Sequence, residues 1–146
     1  IASWAFRWVA GHENCKVILS GMSSQEQVRD NLKTFTDYEP LSEQEKDALE
    51  EAVSALRARV QNGCTGCRYC MPCPSGVSIP DIFKTWNSYH IYQSYSPVKF
   101  IWESIPDSAK PGKCVECGAC EELCPQKIRI REQLKLAKAD FDNKIW

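Results

Sequence analysis

The sequence lacks a long apolar run and an excess of charge of either sign. Its longest apolar stretch, residues 4–10, is interrupted by Arg7 and falls far short of the roughly 20 residues that a membrane helix needs. The formal net charge is −1, and 25% of the residues are charged, so neither disorder nor a polyanionic partner is indicated. A chain of 146 residues has room for one domain or two small units. We therefore expect a globular protein that binds neither nucleic acid nor a membrane.

Cysteine is the exception to this ordinary composition. Eight of the nine cysteines lie in two short runs, CTGCRYCMPCP at residues 64–74 and CVECGACEELCP at residues 114–125. A disulfide framework spreads its cysteines along a secreted chain, whereas four thiols in one short run can converge on a metal centre. Thiolate ligation implies a reducing compartment, so we expect a cytoplasmic protein. The ninth cysteine, Cys15, is expected to be a small buried residue without a redox role.

The spacing within the runs predicts the metal centre. Both runs contain C-x2-C-x2-C and end in Cys-Pro, although the last gap is x2 in the first run and x3 in the second. In two-cluster ferredoxins such a triplet ligates three irons of a cubane cluster, and the Cys-Pro of the opposite run ligates the fourth. We therefore predict two [4Fe–4S] clusters with crossed ligands. The predicted ligand sets are Cys64, Cys67, Cys70 and Cys124 for one cluster, and Cys114, Cys117, Cys120 and Cys73 for the other.

Two structural zinc sites of four cysteines each are the alternative metal centre, because C-x2-C pairs also bind zinc. Zinc sites usually separate their two pairs by a longer stretch, and they need neither a third closely spaced cysteine nor a trailing proline. The pattern therefore favours iron–sulfur clusters. Gly66 and Gly118 either let the backbone amides approach sulfur, which would raise the reduction potential, or serve as plain turn glycines.

The first quarter of the chain predicts a helix, a strand and a second helix. Apolar residues at helical spacing in residues 1–11 predict a largely buried helix that ends at Gly11. The apolar run KVIL at residues 16–19 predicts one fully buried strand. A capping box from Ser24 to Gln27 then starts the second helix. This order is typical of one unit of a parallel α/β structure.

Helices are predicted throughout the rest of the chain. Ser42 and Glu45 form a capping box for a long helix that ends at Gly63, and further helices begin near Ser78 and Ser96. A last helix follows the second cysteine run, and no convincing strand pair is seen. The fold class is therefore mainly α. The predicted apolar faces comprise Leu49, Val53, Leu56, Val60, Ile82, Phe83, Trp86, Tyr89, Val98, Ile101, Trp102, Ile105, Ile130, Leu134, Ala137 and Phe141.

The sequence also resembles known families. The two cysteine runs, with two helices between them, resemble the α-helical ferredoxin domain of respiratory iron–sulfur subunits. A longer series of segments resembles the carboxyl-terminal part of the aldo/keto reductases that carry a ferredoxin-like extension. The segments are WAFRWV at 4–9, VILSGMS at 17–23, Asn31, CTGCRYCMPCP, Ile79-Pro80, Asn87 and CVECGACEELCPQKIRIREQL at 114–134.

The second resemblance implies a domain organisation. Residues 1–36 would be the last helix–strand–helix part of a (β/α)8 barrel, residues 37–62 a connecting helix, and residues 63–146 a ferredoxin-like domain with two [4Fe–4S] clusters. The chain begins at Ile1 without Met, and we expect the rest of the barrel to precede it. The family's catalytic Tyr, Asp, Lys and His belong to earlier strands, so no catalytic residue is assigned here. The implied partners are that barrel and a redox carrier protein.

The resemblance further implies a nucleotide site. In aldo/keto reductases the loop after the last strand holds the phosphates and adenine, and the amino end of a helix favours anions. NAD(P)H is expected to bind only in the full-length protein, and no basic residue near Gly21 or Gln27 indicates a preference for NADPH. Helix capping by Ser24, Gln27 and Asn31 is the structural alternative. The implied nucleotide-binding residues are Ser20, Gly21, Met22, Ser23, Gln27, Asp30 and Asn31.

The predicted function is electron transfer through two [4Fe–4S] clusters, as the carboxyl-terminal module of an aldo/keto reductase family oxidoreductase. The alternative is a structural or redox-sensing iron–sulfur domain, or a zinc domain, that stabilises the barrel or a partner interface. Some other side chains are expected to have structural roles. The aromatic side chains are expected to shield the clusters, and the basic and histidine side chains are expected to lie at the surface. These side chains are Trp86, Tyr89, Tyr92, Tyr95, Trp102, Arg129, Arg131, Lys135, Lys138, His12 and His90.

Overall fold

A computed structural model describes residues 2–143. Four residues lie outside this range. They are Ile1, which belongs to the predicted first helix, and residues 144–146, which belong to the domain predicted over residues 63–146. The regular structure of the described residues is helical throughout and contains no strand, so the predicted mainly α fold is confirmed. No helix within residues 2–143 has the length and apolar character of a membrane span. The chain divides into two compact units, Ile1–Ser54 (unit 1) and Ala55–Trp146 (unit 2).

Unit 1 contains the helices α1 (Ala2–Ala10) and α2 (Gln25–Thr36) and most of α3 (Glu43–Arg57). Helices α1 and α2 pack against each other, with the rings of Phe6 and Phe35 5.6 Å apart. One half of the predicted capping box of α2 forms, because the Gln27 amide donates to the Ser24 hydroxyl at 3.3 Å. The Gln27 side-chain oxygen accepts from the Ser23 amide at 2.7 Å. A capping box would have used the amide of Ser24 itself.

The start of α3 is fixed by a capping box and by an ion pair. The Ser42 amide donates to Glu45 Oε2 at 2.9 Å, and the Glu45 amide donates to the Ser42 hydroxyl at 3.3 Å. Arg7 of α1 donates to both carboxylate oxygens of Glu45, at 2.7 and 2.8 Å. The hydrogen bond from Arg7 is the main reason why the pKa of Glu45 falls from 4.5 to about 2. Helices α1 and α3 are thus linked by a bidentate, charge-assisted contact.

Two predictions for unit 1 are wrong. Residues 16–19 do not form a strand, and Val17 and Leu19 are 76% and 91% exposed. A strand needs a neighbour for its backbone hydrogen bonds, and among the described residues no other segment pairs with this run. Helix α1 is also not buried, since it has no buried residue and Trp8 is 50% exposed.

Unit 2 holds the hydrophobic core. Its α-helices in the described range are α4 (Ile79–Tyr92), α5 (Tyr95–Ser104), the short α6 (Ala119–Glu122) and α7 (Ile130–Asp142). Short 3-10 helices span Asp107–Ala109 and Pro111–Lys113. Helix α4 packs against α5 and α7. The core residues are Val77, Ile79, Ile82, Phe83, Trp86, Val98, Trp102, Ile105, Cys124, Ile130, Leu134, Ala137 and Phe141.

Polar and aromatic contacts join α4 and α5 to α7. Asp140 Oδ2 accepts from Trp86 Nε1 at 2.6 Å and pairs with His90 Nε2 at 2.9 Å. The rings of Trp102 and Phe141 stack with their centroids 3.9 Å apart. These contacts hold α7 beside the helices that follow the first cysteine run.

The predicted apolar faces of unit 2 are largely confirmed. All four residues predicted on α7 are buried, and so are most of those on α4 and α5. The exceptions are Tyr89, which is half-buried, and Ile101, which is 45% exposed. The stripe predicted on α3, most of which belongs to unit 1, is largely exposed, with Leu56 52% exposed. Of the predicted aromatic shield, Trp86 and Trp102 are buried, whereas Tyr92 is 73% exposed. The shield is therefore smaller than predicted.

Candidate metal centre

The two cysteine loops follow the same backbone path. The second residue after the first cysteine of each run has a positive φ, 72° at Gly66 and 57° at Glu116. The residue after the second cysteine also has a positive φ, 65° at Arg68 and 84° at Gly118. A positive φ is uncommon for residues other than glycine. Each loop therefore makes two left-handed turns, one at a glycine and one at a charged residue.

Within the described residues, two cavities bring the eight clustered cysteines together. The first cavity is lined by Cys64, Cys67, Cys70 and Cys124. The second cavity is lined by Cys73, Cys114, Cys117 and Cys120. The volume free of protein atoms in each cavity is about 330 Å³, and this volume includes space that is open to solvent. Each cavity thus combines three cysteines of one run with the last cysteine of the other run.

Apolar side chains form the walls behind the cysteines. Phe83 and Ile130 line the first cavity, and Val77 and Leu134 line the second. Ile79, the first residue of α4, lines both cavities and is only 1% exposed. These side chains exclude water from the inner side of each cavity. The sequence places Ile79 at a helix start but contains no sign that it separates the two cavities.

The first cysteine run is anchored to α4 through two asparagines. Asn87 Oδ1 accepts from the amides of Gln61 and Asn62, at 2.9 and 3.2 Å, and its Nδ2 donates to the Asn62 carbonyl at 2.9 Å. Asn62 Oδ1 in turn accepts from the amide of Cys64 at 3.1 Å. The Asn62 side chain is buried, and among the described residues its Nδ2 has no hydrogen-bond partner. This network fixes the position of Cys64 from outside the cysteine run.

Burial opposes ionisation of the inner cysteines. It is the main reason why the pKa of the Cys70 thiol is raised. Burial also raises the pKa of Cys120 to about 11, with the nearby negative charge of Glu121 adding to the effect. Thiolates, not thiols, bind metal. A cation in these cavities would therefore have to displace the thiol protons, and metal binding would depend on pH.

The basic residues near the carboxyl end form ion pairs. Arg131 pairs with Glu121 and Lys135 with Glu116, both at 2.8 Å. Arg129 pairs with Glu132 at 3.1 Å, and Lys138 pairs with Asp142. This pairing agrees with the solvated helix face that the sequence predicted. Arg131 has a second role that its position in the sequence did not reveal, because it lines the second cavity.

The donor set suits an iron–sulfur cluster. Each cavity presents four cysteine sulfurs from two separate loops, which matches the one-cysteine-per-iron ligation of a [4Fe–4S] cube. Nowhere in residues 2–143 do three Cys, His, Asp or Glu side chains converge at the distance of a single metal ion.

The ninth cysteine, Cys15, lies in unit 1, where its Sγ is 3.7 Å from the Val17 carbonyl oxygen.

The residues predicted to bind a nucleotide lie in the loop before α2 and in its first two turns, and several of them bond to one another. Asn31 Nδ2 donates to the Ser20 hydroxyl at 3.0 Å, and Gln27 accepts from Ser23. These bonds connect the loop to α2. Met22 is 44% exposed, and a side chain at Gly21 would meet open space. Asp30 is exposed, and its carbonyl accepts from the Thr34 hydroxyl at 3.0 Å.

Comparison with known families identifies the cysteine-bearing part of the chain. Residues 63–128 match the family of the 4Fe-4S dicluster domain. The chain has no significant match among curated proteins or solved structures. The matched segment begins immediately before Cys64 and ends after Cys124, so it includes both cavities' cysteines. Residues 63–128 are therefore a 4Fe-4S dicluster domain, and this domain points to [4Fe–4S] clusters and to iron–sulfur electron transfer.

Proposed function

We propose that this protein transfers electrons through two [4Fe–4S] clusters, one in each cavity. The first cluster would be held by the cysteines of the first cavity and the second by those of the second cavity. The observation that carries this proposal is the crossed arrangement, in which each cavity receives three cysteines from one run and one from the other. Two sites that share a wall residue, Ile79, suit the stepwise movement of electrons.

The chain's own residues would hold, shield and separate the two centres. A [4Fe–4S] cluster supplies, when bound, a redox centre whose potential depends on its hydrogen bonds, local charge and exposure to solvent. Phe83, Ile130 and Leu134 keep water from the inner side of the cavities. Ile79 belongs to both walls, so the two sites lie on either side of one side chain. Cys67 and Cys117 are exposed, which gives each site an edge that faces solvent.

Metal analysis of protein purified without oxygen tests the proposal. About eight irons and eight acid-labile sulfides per chain, with a broad visible absorbance that bleaches reversibly with dithionite, are expected for two redox-active clusters. Clusters that resist reduction would favour the structural alternative. A colourless protein with about two zinc ions would contradict the proposal and favour a zinc domain.

Serine variants test the crossed ligands. In a background that carries Cys114→Ser and Cys117→Ser, only the first cluster should remain. Adding Cys124→Ser should then lower the residual iron or change its spectrum, whereas adding Cys73→Ser should not. The reverse result would show that each run holds its own cluster. Cys15→Ser is the matched control and should retain the full iron content.

We further propose that this electron-transfer module belongs to an aldo/keto reductase family oxidoreductase, with NAD(P)H and a redox carrier protein as partners of the whole protein. This proposal is supported by the resemblance of segments in residues 4–31 and 64–134 to that family. The coding sequence upstream of Ile1 provides the test. An in-frame barrel with the catalytic Tyr, Asp, Lys and His would support the proposal, and an unrelated upstream sequence would contradict it.

A further inference from the structure

The second cavity has a fixed ion pair at its edge. Arg131 lies in the first turn of α7, and Glu121 lies in α6, directly after Cys120. The Arg131 Nη2 atom donates to Glu121 Oε2 at 2.8 Å, and the Arg131 amide donates to Glu121 Oε1 at 2.8 Å. Arg131 Nη1 also points to the Glu116 carbonyl at 3.4 Å. Both oxygens of the carboxylate are thus engaged, and the guanidinium is held in one orientation.

Of the two charged side chains, only Arg131 lines the second cavity. Arg131 is among the residues that line the second cavity with Cys114, Cys117 and Cys120, and Glu121 is not. The guanidinium carbon of Arg131 lies 3.8 Å from the position that a Cβ atom on Gly118 would occupy. Gly118 lies between two of the cavity's cysteines and is itself a lining residue. The guanidinium of Arg131 therefore lies beside a cavity-lining residue that has no side chain.

The first cavity has a weaker counterpart. Arg68 lines it and pairs with Asp81 at 3.5 Å, with side chains 56% and 47% exposed. The Arg131 and Glu121 side chains are only 43% and 21% exposed. Solvent and salt screen exposed charges more strongly. The electrostatic influence of a fixed pair is therefore greater at the second cavity.

Reduction adds negative charge to a redox centre, so a nearby cation raises its reduction potential and a nearby anion lowers it. We propose that Arg131 raises the reduction potential of the [4Fe–4S] cluster in the second cavity, and that Glu121 lowers it. This inference rests on the proposed function. It makes Arg131 a tuning residue whose charge, rather than its packing, sets how readily the second site takes up an electron.

Charge-removing variants distinguish this role from a structural one. Arg131→Gln leaves Glu121 unpaired, and Glu121→Gln leaves Arg131 unpaired, so both break the same ion pair. If the pair only stabilises the fold, the two variants should shift the potential in the same direction or leave it unchanged. If its charges act on the cluster, Arg131→Gln should lower the potential and Glu121→Gln should raise it.

The experiment is an anaerobic redox titration of the whole chain, monitored by electron paramagnetic resonance. Cys117→Ser identifies the signal of the second site. Arg131→Gln should lower the equilibrium constant for reduction of that site about three- to tenfold, where tenfold is 59 mV for a one-electron couple. Glu121→Gln should raise it, and Arg131→Lys should stay near the unaltered protein. Arg68→Gln is the matched control and should act on the first site by a smaller factor.

The outcomes separate the two proposals. If the unaltered protein contains no iron, the proposed function fails before any titration. If it contains iron but the Arg131→Gln and Glu121→Gln shifts share one sign, or neither shifts the second site, only the tuning role of Arg131 is overturned. Should Arg131→Gln lose its iron, the Glu121→Gln and Arg131→Lys potentials still decide the question.

Discussion

At the scale of single residues, the cysteine loops depend on four left-handed backbone positions. Two of these positions are glycines, Gly66 and Gly118, and two are the charged residues Arg68 and Glu116. An L-residue in this conformation costs roughly 1–2 kcal/mol. The loops tolerate that cost because their turns bring the first three cysteines of each run to a common cavity.

Gly66 allows a direct measurement of this cost. A Cβ atom on Gly66 would meet nothing within 4 Å, and the same is true of Gly63, but only Gly66 has a positive φ, of 72°. Gly66→Ala should therefore be less stable than Gly63→Ala by about 1–2 kcal/mol, since the loss of unfolded-chain entropy is common to both. Urea unfolding under anaerobic conditions, followed by circular dichroism, gives the comparison. Equal midpoints for the two variants would show that the left-handed turn carries no strain.

The cysteine spacing was sufficient to predict how the cysteines are grouped in the two cavities, whereas several neighbouring residues could not be predicted. The triplets and the Cys-Pro ends predict four sulfurs for each site, because ligand spacing is a local property of the chain. The positions of Ile79, Asn62 and Arg131 depend on contacts between segments far apart in sequence, such as that of Arg131 with Glu116. No periodicity or motif in one sequence encodes those contacts.

At the scale of elements, apolar periodicity predicted helices well and the strand poorly. The stripe of α7 is buried as predicted because a helix satisfies its own backbone hydrogen bonds and needs only a surface to pack on. The strand predicted at residues 16–19 needed a partner strand, which is a property of the surroundings and not of the run itself. The pairing of His90 with Asp140 was also unpredictable, because the two residues lie on α4 and α7, 50 positions apart.

The contact between α1 and α3 predicts a dependence of stability on acid. The folded-state pKa of Glu45 is about 2, below its ordinary value of 4.5, chiefly because Arg7 donates to the carboxylate. A lowered pKa stabilises the fold fully above the ordinary value, and this stabilisation is lost as the pH falls towards 2. Unit 1 should therefore lose stability between about pH 4.5 and pH 2, and Glu45→Gln should lose less over the same range.

The measurement is the urea midpoint of the unaltered protein and of Glu45→Gln at a series of pH values from 6 to 2. The other carboxylates contribute equally to the acid dependence of both proteins. In an Arg7→Gln background, Glu45→Gln should alter the acid dependence much less, because the main partner is already absent. An identical acid dependence in the unaltered protein and in Glu45→Gln would rule out the ion pair as its cause.

At the scale of the whole molecule, the two units differ in what holds them together. Unit 2 has a continuous core whose members Ile79, Ile130 and Leu134 also line the cavities. In unit 1 the helices α1 and α2 have no buried residue. The cavity-lining residues, in the part of the chain that the structure describes, all belong to unit 2. Metal binding in these cavities would therefore be coupled to the stability of unit 2.

Removal of iron should destabilise unit 2 selectively. A ligand that binds only the folded state stabilises it, and structural metals contribute several kcal/mol. Since 1 kcal/mol shifts the melting temperature of a domain of this size by roughly 4–8 °C, chelation should lower the melting temperature of unit 2 by at least about 10 °C. Hydrogen exchange should show faster amide exchange in α4 and α7 after chelation and little change in α1 and α2. Reconstitution with iron and sulfide should reverse the effect. Unchanged protection in α4 and α7 would mean that their packing alone holds the cysteines in place, so that the cavities are preformed and the clusters contribute little to the fold.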